Sequence, residues 1–381
     1  MKRILCIVGV LAFAIMMICF KKDDLRALKK HVQKQKANNL IAVNLKRIAR
    51  VTGATLPGET LPNPNNTPVK YDLGGTDLGI MWDMGKGRTG IFFGDSFGRN
   101  WKQTKEGGGN GANWRSNLLA FSADNKLDDG LTFSGMAMST DGKSAREIVP
   151  SAHNTSGNGD WTTIPTAAIR VNGADYLHYM AVKKWGAPGT WSTNYSGLYR
   201  STDDGKNWAK VPGVTFAAIS NFAQAAYGKM DGYVYMLGTK AGRFGDVYLA
   251  RFKEQNIAKQ SNYEYHTKTG WVKGNEAKAS PIFNGPAGEL SLAYNTKYKR
   301  WMVTYLDEHR RKIMLRDAVT INGKWSDAKL LVSGDDYPGL YGAFIHPQKN
   351  DGDELYFLMS QWQPYNVFLF RVDLRLTEYV N

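Results

Sequence analysis

The chain of 381 residues has almost no cysteine. Its two cysteines, Cys6 and Cys19, both lie in an apolar stretch at the N-terminus. A disulfide framework and a thiolate metal site are therefore excluded for the remainder of the chain. Such a composition is compatible with export from a bacterium.

Several motifs that carry well-known chemistry are also missing. None of the six histidines has the spacing of a metal site such as H-E-x-x-H. The sequence contains no P-loop, no dinucleotide fingerprint and no G-x-S-x-G nucleophile elbow. We therefore expect neither a metal nor another cofactor.

The formal net charge of +15 is unevenly distributed. Residues 1–50 carry 12 basic and 2 acidic side chains, whereas the rest of the chain carries 37 and 32. Nucleic-acid binding needs a basic face on the folded domain, and here the excess lies in an N-terminal arm. We therefore expect no nucleic-acid partner, and we expect the protein to be a monomer.

The N-terminal arm begins with an uncharged apolar run at residues 4–20, directly after Lys2 and Arg3. A helix of this length spans roughly 25 Å, slightly less than the hydrocarbon core of a bilayer. Residues 1–20 are therefore predicted to be a signal peptide or a signal anchor. No cleavage signature follows the run, which favours an uncleaved anchor that contacts the membrane.

Two further segments precede the main domain. Residues 21–50 lack proline and glycine and predict a basic helical stalk, and residues 51–70 contain four prolines and predict a linker. The expected location is extracytoplasmic, either membrane-anchored or secreted. The basic flank argues the other way, because the positive-inside rule would keep it in the cytoplasm.

From residue 71 to residue 381 the pattern changes to short apolar and aromatic runs separated by turn residues. These runs include residues 164–171, 176–182, 233–238, 247–252, 301–306, 355–360 and 367–372. No long amphipathic helix interrupts them, so the pattern predicts an all-β sandwich or propeller. The segment 201–208, with the sequence STDDGKNW, matches the S-x-D-x-G-x-x-W Asp-box that forms hairpin turns in sialidase-like propellers. We therefore favour a propeller, and the length of the domain suits five blades.

Two aspartates bracket one predicted β-hairpin. Apolar flanks at residues 75–82 and 88–98 surround a turn near Lys86, so Asp77 is expected directly opposite Asp95. Opposed side chains on one sheet face lie about 5 Å apart, and two carboxylates there repel each other. Glycosidases require such a pair. A structural role as turn or cap residues is the alternative, and a single bulge would shift the register.

A set of phrases in this domain resembles a bacterial and phage propeller family once filed as a domain of unknown function (family 4185) and also classed as glycoside hydrolase family 183. The family includes endo-D-arabinanases, which cut the D-arabinofuranan of mycobacterial cell walls. The matching stretches are 76–79, 93–98, 113–117, 164–166, 185–191, 238–243, 288–291, 341–347 and 360–366. The resemblance implies a five-bladed propeller and points to Asp77 and Asp95 as the catalytic carboxylates.

The matching stretches also supply candidate substrate-binding residues, each with a structural alternative. Arg115 and Arg243 would hold sugar hydroxyls or orient a carboxylate, or else form solvated or inter-blade ion pairs. Glu289 would be a third acidic site residue or a satisfied turn residue. The aromatic candidates, which would stack on sugar rings or fill the core, are Trp185, Trp191 and Tyr341.

The sequence therefore favours an endo-acting glycoside hydrolase on a furanosidic polysaccharide, with D-arabinan as the preferred polymer. The expected mechanism is inverting, with Asp77 as base and Asp95 as acid, or the reverse, and retention stays open. One alternative is a surface propeller that binds carbohydrate without cleaving it. The other is a sialidase-like enzyme, which would need an arginine triad and a tyrosine nucleophile.

Overall fold

The computed structural model describes residues 39–377, and this part of the chain is mostly antiparallel β-structure. A short helix, α1 (Thr67–Tyr71), and the 3-10 turns Glu254–Asn256, Gln260–Asn262 and Glu276–Lys278 accompany the strands. In chain order the strands are β1 (Leu40–Arg50), β2 (Gly75–Gly85), β3 (Arg88–Phe97), β4 (Leu118–Ser122), β5 (Gly135–Met136), β6 (Thr162–Val171), β7 (Ala174–Trp185), β8 (Trp191–Ser201), β9 (Ala209–Ala217), β10 (Gln224–Met230), β11 (Tyr233–Thr239), β12 (Gly245–Lys253), β13 (Glu264–Thr267), β14 (Gly270–Lys273), β15 (Phe283–Asn295), β16 (Arg300–Asp307), β17 (Lys312–Ala318), β18 (Lys329–Ser333), β19 (Leu340–Ile345), β20 (Glu354–Gln361) and β21 (Asn366–Leu376).

Consecutive strands pair as up-and-down sheets. Strands β2 to β5 form one four-stranded sheet and β6 to β9 another. A nine-stranded sheet consists of the run β10 to β14 and the run β15 to β18, which meet where Gly245 and Val247 of β12 pair with Ala287 and Phe283 of β15. Strands β19, β20 and β21 form the last sheet together with β1.

The first strand of each group lies innermost. Strand β2 contacts β6, β6 contacts β10, β10 contacts β15, β15 contacts β19, and β19 contacts β2 again. Meandering sheets around such a closed ring form a β-propeller, which confirms the predicted all-β propeller. Apolar side chains fill the space between neighbouring sheets, as where Ile91 and Phe93 pack with Leu358 and Leu369.

The prediction of a helical stalk was wrong for residues 40–50, which form strand β1. This strand lies at the outer edge of the last sheet, next to β21. The side-chain amide of Asn44 donates to Asp373 Oδ2 (2.7 Å), and the amide of Val51 donates to the carbonyl of Val367 (2.9 Å). The segment has a helix-compatible spacing of apolar residues, but its hydrogen-bond partner lies more than 300 residues later in the sequence.

The predicted linker at residues 51–70 is also part of the fold. Arg50 is fully buried and pairs with Glu59 (2.7 Å). The buried Asn65 side chain donates to the carbonyls of Val51 (3.0 Å) and Leu131 (2.8 Å). The β domain therefore begins with β1 and not at residue 71.

The predicted Asp-box forms the turn between β8 and β9. Asp203 accepts hydrogen bonds from the Ser201 hydroxyl and the Asn207 amide (both 2.9 Å), and Gly205 has a φ of 85°. Trp208 packs edge-on against Phe92 with ring centroids 5.3 Å apart. Asp203 therefore holds a turn, as predicted, and takes no part in the cavity described below.

The predicted signal or anchor segment at residues 1–20 and the first part of the stalk lie outside the described residues. Within residues 39–377, no helix is long and apolar enough to cross a membrane. Residues 41–375 form one compact unit, to which the site belongs.

Candidate active site

The hairpin that carries the two aspartates is formed by β2 and β3. Its turn consists of Lys86 and Gly87, whose φ angles are 56° and 71°. Two-residue turns with two positive φ angles match the twist of a hairpin. Thr76 pairs with Ser96, which is the register that the sequence predicts for the open end.

A bulge interrupts this register between the turn and the open end. Leu78 pairs with Phe93, and both Leu78 and Gly79 have positive φ angles (69° and 94°). The predicted direct pairing of Asp77 with Asp95 is therefore wrong at the level of the backbone ladder. A bulge bends the strand and changes the direction of a side chain, and here both carboxylates still reach one cavity.

That cavity, of about 460 Å³, lies at one end of the ring of inner strands. Every inner strand contributes to its wall, as with Asp77 from β2, Thr166 from β6, Gln224 from β10, Glu289 from β15 and Tyr341 from β19. Of the predicted site residues, those that line it are Asp77, Asp95, Trp185, Trp191, Arg243, Glu289 and Tyr341.

Asp77 has few hydrogen-bond donors around its carboxyl group. The Tyr341 hydroxyl donates to Oδ2 (3.1 Å), whereas Oδ1 is buried without a partner. Oδ1 lies over Gly94, where a β-carbon would come within 2.3 Å of it. A glycine is therefore required beside the carboxyl group, and the missing donor favours its neutral form.

Asp95 is better supplied with donors. Its Oδ1 accepts hydrogen bonds from the Trp114 indole N–H (2.7 Å) and from the Thr162 hydroxyl (2.6 Å). The Tyr365 hydroxyl donates to the Asp95 main-chain carbonyl (3.1 Å). These contacts fix the side chain and favour the ionised carboxylate.

A second layer of residues supports Trp114. The His153 ring packs edge-on against the indole with centroids 4.3 Å apart, and His153 Nε2 lies 3.1 Å from Glu147 Oε2. Glu147 also accepts hydrogen bonds from the main-chain amides of Ser116 (2.6 Å) and Ser151 (3.0 Å). The orientation of Asp95 therefore depends on an anchored chain of contacts.

The different surroundings of Asp77 and Asp95 give the two carboxyl groups different pKa values. Burial, together with the charge of Asp95, raises the pKa of Asp77 to about 8. Burial also raises the pKa of Asp95, but the hydrogen bonds from Thr162 and Trp114 limit the rise, so that it reaches about 6. At neutral pH this order keeps Asp77 protonated and Asp95 ionised, whereas the sequence analysis preferred Asp77 as the base and Asp95 as the acid.

Glu289 occupies a second bulge, in β15, where the register with β16 shifts between Gly288 and Ser291. Its φ is 28°, an uncommon value for a residue with a side chain. Its Oε1 accepts two hydrogen bonds from Arg243 (2.7 and 2.9 Å), whereas Oε2 is buried without a partner. A substrate hydroxyl is the kind of donor that this oxygen lacks.

Arg243 connects the acidic and aromatic parts of the wall. It also pairs with Glu308 (3.2 Å), and its guanidinium lies 5.1 Å from the ring centre of Tyr341 and 5.9 Å from that of Trp191. Burial opposes the charged form, but the two glutamates raise the pKa of Arg243, so that it stays a cation. Next to it, Trp185 and Trp191 pack edge to face with centroids 5.5 Å apart.

Nine aromatic side chains contribute to the wall of the cavity. The aromatic side chains that line it are Phe97, Trp114, Trp161, Trp185, Trp191, Tyr341, Phe344, Trp362 and Tyr365. Within residues 39–377, no group of three or more His, Cys, Asp or Glu side chains is arranged to hold a metal ion. The two buried carboxyl groups can exchange protons with a ligand, and the aromatic side chains offer apolar faces against which it can pack.

A family model described as "Domain of unknown function (DUF4185)" matches residues 62–371, which is most of the chain. The chain belongs to this family. Among its relatives, Notoamide biosynthesis cluster protein J' of Aspergillus versicolor is 27% identical over 307 residues, covering 77% of this chain and 82% of that protein. Notoamide biosynthesis cluster protein J of Aspergillus sp. strain MF297-2 is 27% identical over 309 residues, covering 77% and 81%.

Solved structures also resemble this DUF4185 chain. A protein of Bacteroides ovatus, provisionally described as a hydrolase, superposes with a TM-score of 0.56 and 14% identity, over 80% of this chain and 86% of that one. An arabinanase of Bacillus subtilis gives a TM-score of 0.45 and 15% identity, over 78% and 96%. At 14% identity, the Bacteroides similarity indicates a shared fold only.

One of the substrate-binding residues that the sequence predicts for the DUF4185 domain does not line the cavity. Arg115 is buried and donates to the main-chain carbonyls of Asp72 (2.9 Å) and Ala145 (3.2 Å). Burial lowers the pKa of this arginine to about 10. Its backbone pairs with that of Ser96, the residue after Asp95. Arg115 therefore stabilises the strand that carries Asp95, and the prediction that it binds substrate was wrong.

Sequence reasoning missed the neighbouring Trp114, as well as Thr162 and Tyr365. Trp114 directly precedes Arg115, but residue 114 belongs to no strand and residue 115 forms only an isolated bridge, so the alternation of side chains along a strand gives no signal here. No local signal marks Thr162 either, which meets Asp95 from a different sheet.

Proposed function

We propose that this protein is a glycoside hydrolase that cuts within a furanosidic polysaccharide. The observation that carries the proposal is the pair Asp77 and Asp95. Both carboxyl groups line one cavity, and Asp95 accepts more hydrogen bonds than Asp77. A neutral carboxyl group and a carboxylate flanking one bond are what glycoside hydrolysis requires. The aromatic wall and the unpartnered oxygen of Glu289 suit a ring-shaped, hydroxyl-rich ligand.

In the proposed mechanism, Asp95 acts as base and Asp77 as acid. Asp95 Oδ1 is engaged by Trp114 and Thr162, which leaves Oδ2 to take a proton from a water molecule. That water attacks the anomeric carbon, and Asp77 gives its proton to the leaving glycosidic oxygen. The products are two shorter chains, one of which has a new reducing end.

We favour inversion of the anomeric centre. Retention requires carboxyl groups about 5–5.5 Å apart, and inversion requires about 6.5–9.5 Å. The bulge at Leu78 removes the direct cross-strand pairing that would hold the two aspartates closest together. Proton NMR of the first product formed from a substrate of known configuration distinguishes the two outcomes.

D-arabinan is the proposed polymer because the phrases that line the cavity resemble those of endo-D-arabinanases, as described above. The ring of five inner strands supports a five-bladed propeller, in which the nine-stranded sheet counts as two blades. We further propose a monomer that acts outside the cytoplasm, is held at the membrane by residues 1–20 and needs neither a cofactor nor nucleic acid. Fractionation of cells that express the full chain tests this location.

The two alternatives from the sequence receive less support. A sialidase-like enzyme needs three arginines around a substrate carboxylate, whereas within residues 39–377 Arg243 is the one arginine in the cavity wall, and Glu289 and Glu308 already pair with it. A protein that only binds carbohydrate has no need of two carboxyl groups tuned to different pKa values.

The test is hydrolysis of a panel of polysaccharides by the purified full-length protein. The panel contains mycobacterial arabinogalactan, plant L-arabinan, xylan and a sialylated glycan. We expect new reducing ends from the D-arabinan of arabinogalactan, released as internal fragments. Cleavage of none of them, by protein with a cooperative unfolding transition, would overturn the proposal.

A further inference from the structure

Trp362 is unusually exposed for a tryptophan whose side chain is held by hydrogen bonds. It is 47% exposed, although side chains of this size are usually well covered. It nevertheless lines the cavity that holds Asp77 and Asp95. The exposed part of the indole is therefore available to a ligand in this cavity.

Two glycines of a neighbouring loop, Gly107 and Gly108, pack closely against the Trp362 indole. A β-carbon on Gly107 would lie 2.7 Å from indole Cδ1, and one on Gly108 would lie 2.5 Å from Cζ2. The glycine backbone therefore lies flat against both the pyrrole and the benzene parts of the ring. Both glycines also have positive φ angles (72° and 81°), so other residues are disfavoured there.

Hydrogen bonds hold the indole in this position. Its N–H donates to the carbonyl of Glu106 (2.8 Å), and the amide of Gly108 donates to the carbonyl of Trp362 (2.8 Å). The amide of Trp362 donates to the carbonyl of Gly339 (2.8 Å). An indole fixed in advance loses little conformational entropy when a ligand binds to it.

The ring lies close to the candidate catalytic pair. Its centroid is 6.4 Å from that of Tyr341 and 5.9 Å from that of Tyr365. Tyr341 donates to the carboxyl group of Asp77, and Tyr365 donates to the main-chain carbonyl of Asp95 (both 3.1 Å). A sugar ring on Trp362 would therefore lie near the bond that the two carboxyl groups address.

We propose that Trp362 is a stacking platform for one sugar residue of the polymer, next to the bond that is cleaved. The C–H groups on one face of a sugar ring carry partial positive charge and match the negative face of an indole. The inference rests on the proposed function, since it assigns a subsite to the same cavity. It adds that Gly107 and Gly108 support this platform.

The test measures binding separately from cleavage. In an Asp77→Asn background, in which turnover should be at least about 100-fold slower, the electrophoretic mobility of the protein is measured in gels that contain mycobacterial arabinogalactan. We expect Trp362→Ala to weaken retention, with Kd rising about tenfold, which corresponds to the loss of one stacked ring. The Gly108→Ala variant should act in the same direction, because its new methyl group pushes against the indole.

Trp271→Ala is the matched control. Trp271 is also partly exposed, but it lies in β14 under Arg251 (4.1 Å) and does not line the cavity. This variant should bind arabinogalactan as the background protein does. If Trp362→Ala, with a cooperative unfolding transition, binds equally well, the platform is wrong even when the wild-type protein hydrolyses the polymer. If the background protein binds no polysaccharide of the panel, both the platform and the proposed substrate class are wrong.

Discussion

The same five inner strands behave differently at their two ends. At the end with the aspartates, the ladder is interrupted in β2, β6, β15 and β19. At the other end, β2 pairs regularly with β3 from Ile80 to Asp83, and β15 pairs regularly with β16 from Ser291 to Asn295. The β2–β3 ladder also shifts between Asp83 and Gly85, next to the hairpin turn. The other irregularities of β2, β6, β15 and β19 against their neighbours lie at the end with the aspartates.

The polar side chains at the two ends also differ, in whether they have hydrogen-bond or ion-pair partners. The regular end has its own cavity of about 390 Å³, whose charged side chains have partners. Asp83 accepts from Gln348 (3.0 Å) and Arg170 pairs with Asp175 (2.8 Å). At the bulged end, Asp77 Oδ1 and Glu289 Oε2 are buried without partners in the described part of the chain. One end of the ring is thus arranged for stability and the other for interaction with a ligand.

The largest expected effect comes from removing either carboxyl group at the bulged end. Asp77→Asn and Asp95→Asn should each reduce turnover by about 100–10,000-fold, because general acid–base catalysis accounts for that much. The double variant should be little worse than the worse single one, since the two groups act in one step. Steady-state kinetics on the hydrolysed polymer provide the check. A folded single variant with near-normal turnover would refute the pair at that position.

Strand β1 completes the last sheet of the propeller at its outer edge, next to β21. A chain that starts at Tyr71 lacks β1 and the buried pair of Arg50 with Glu59, so its free energy of unfolding should fall by more than about 5 kcal/mol. The structure thus reverses the expectation that the domain begins at residue 71. Chemical denaturation compares this chain with one that starts at Asn39. Equal stability of the two chains would show that β1 is dispensable.

At the regular end, a change should affect stability and spare the chemistry. A β-carbon on Gly90 would lie 2.2 Å from the buried ring of Trp82. Gly90→Ala should therefore destabilise the protein by about 1–3 kcal/mol through overpacking, with kcat/KM of the folded fraction unchanged. Gly135→Ala, which has open space around the new methyl group, is the control. Loss of kcat/KM in stably folded Gly90→Ala protein would show that the two ends are not separable.

The smallest effect should come from removing a hydrogen bond that Asp95 accepts from Trp114. Trp114→Phe keeps the ring contact with His153 but removes the indole N–H, and losing this hydrogen bond should reduce kcat about tenfold. The hydrogen bond holds the pKa of Asp95 down, so the acid limb of the pH–rate profile should move to higher pH. Trp208→Phe removes the indole N–H that donates to the Gly205 carbonyl in the Asp-box (3.0 Å) and should leave that limb in place. An unmoved limb in Trp114→Phe would contradict the role of Trp114.

Local patterns in the sequence predicted local structure well. The Lys86–Gly87 turn, the Asp-box at residues 201–208 and the propeller follow from short-range turn chemistry and strand periodicity. The bulge at Leu78 does not, because its amide is held by the Ser360 hydroxyl (2.8 Å) from the far end of the chain.

The candidate site was also predicted only as far as local sequence patterns reach. Asp77, Asp95 and Glu289 stand out as acids within apolar strands, so the sequence alone suggests them. Which aspartate keeps its proton depends on Trp114, Thr162 and Tyr341. Trp114 lies in the loop between β3 and β4, and Thr162 and Tyr341 belong to two other sheets. The order of the two pKa values therefore could not be predicted from the hairpin.

The most direct test of the central claim is a titration of the two side-chain carboxyl groups by carbon-13 NMR, with Asp77→Asn and Asp95→Asn variants for assignment. The two interacting groups should show apparent pKa values near 6 and 8. At pH 7, the Asp77 signal should be that of a protonated carboxyl group and the Asp95 signal that of a carboxylate. Titration of both groups below pH 5 would contradict the account, because neither could then donate a proton at neutral pH.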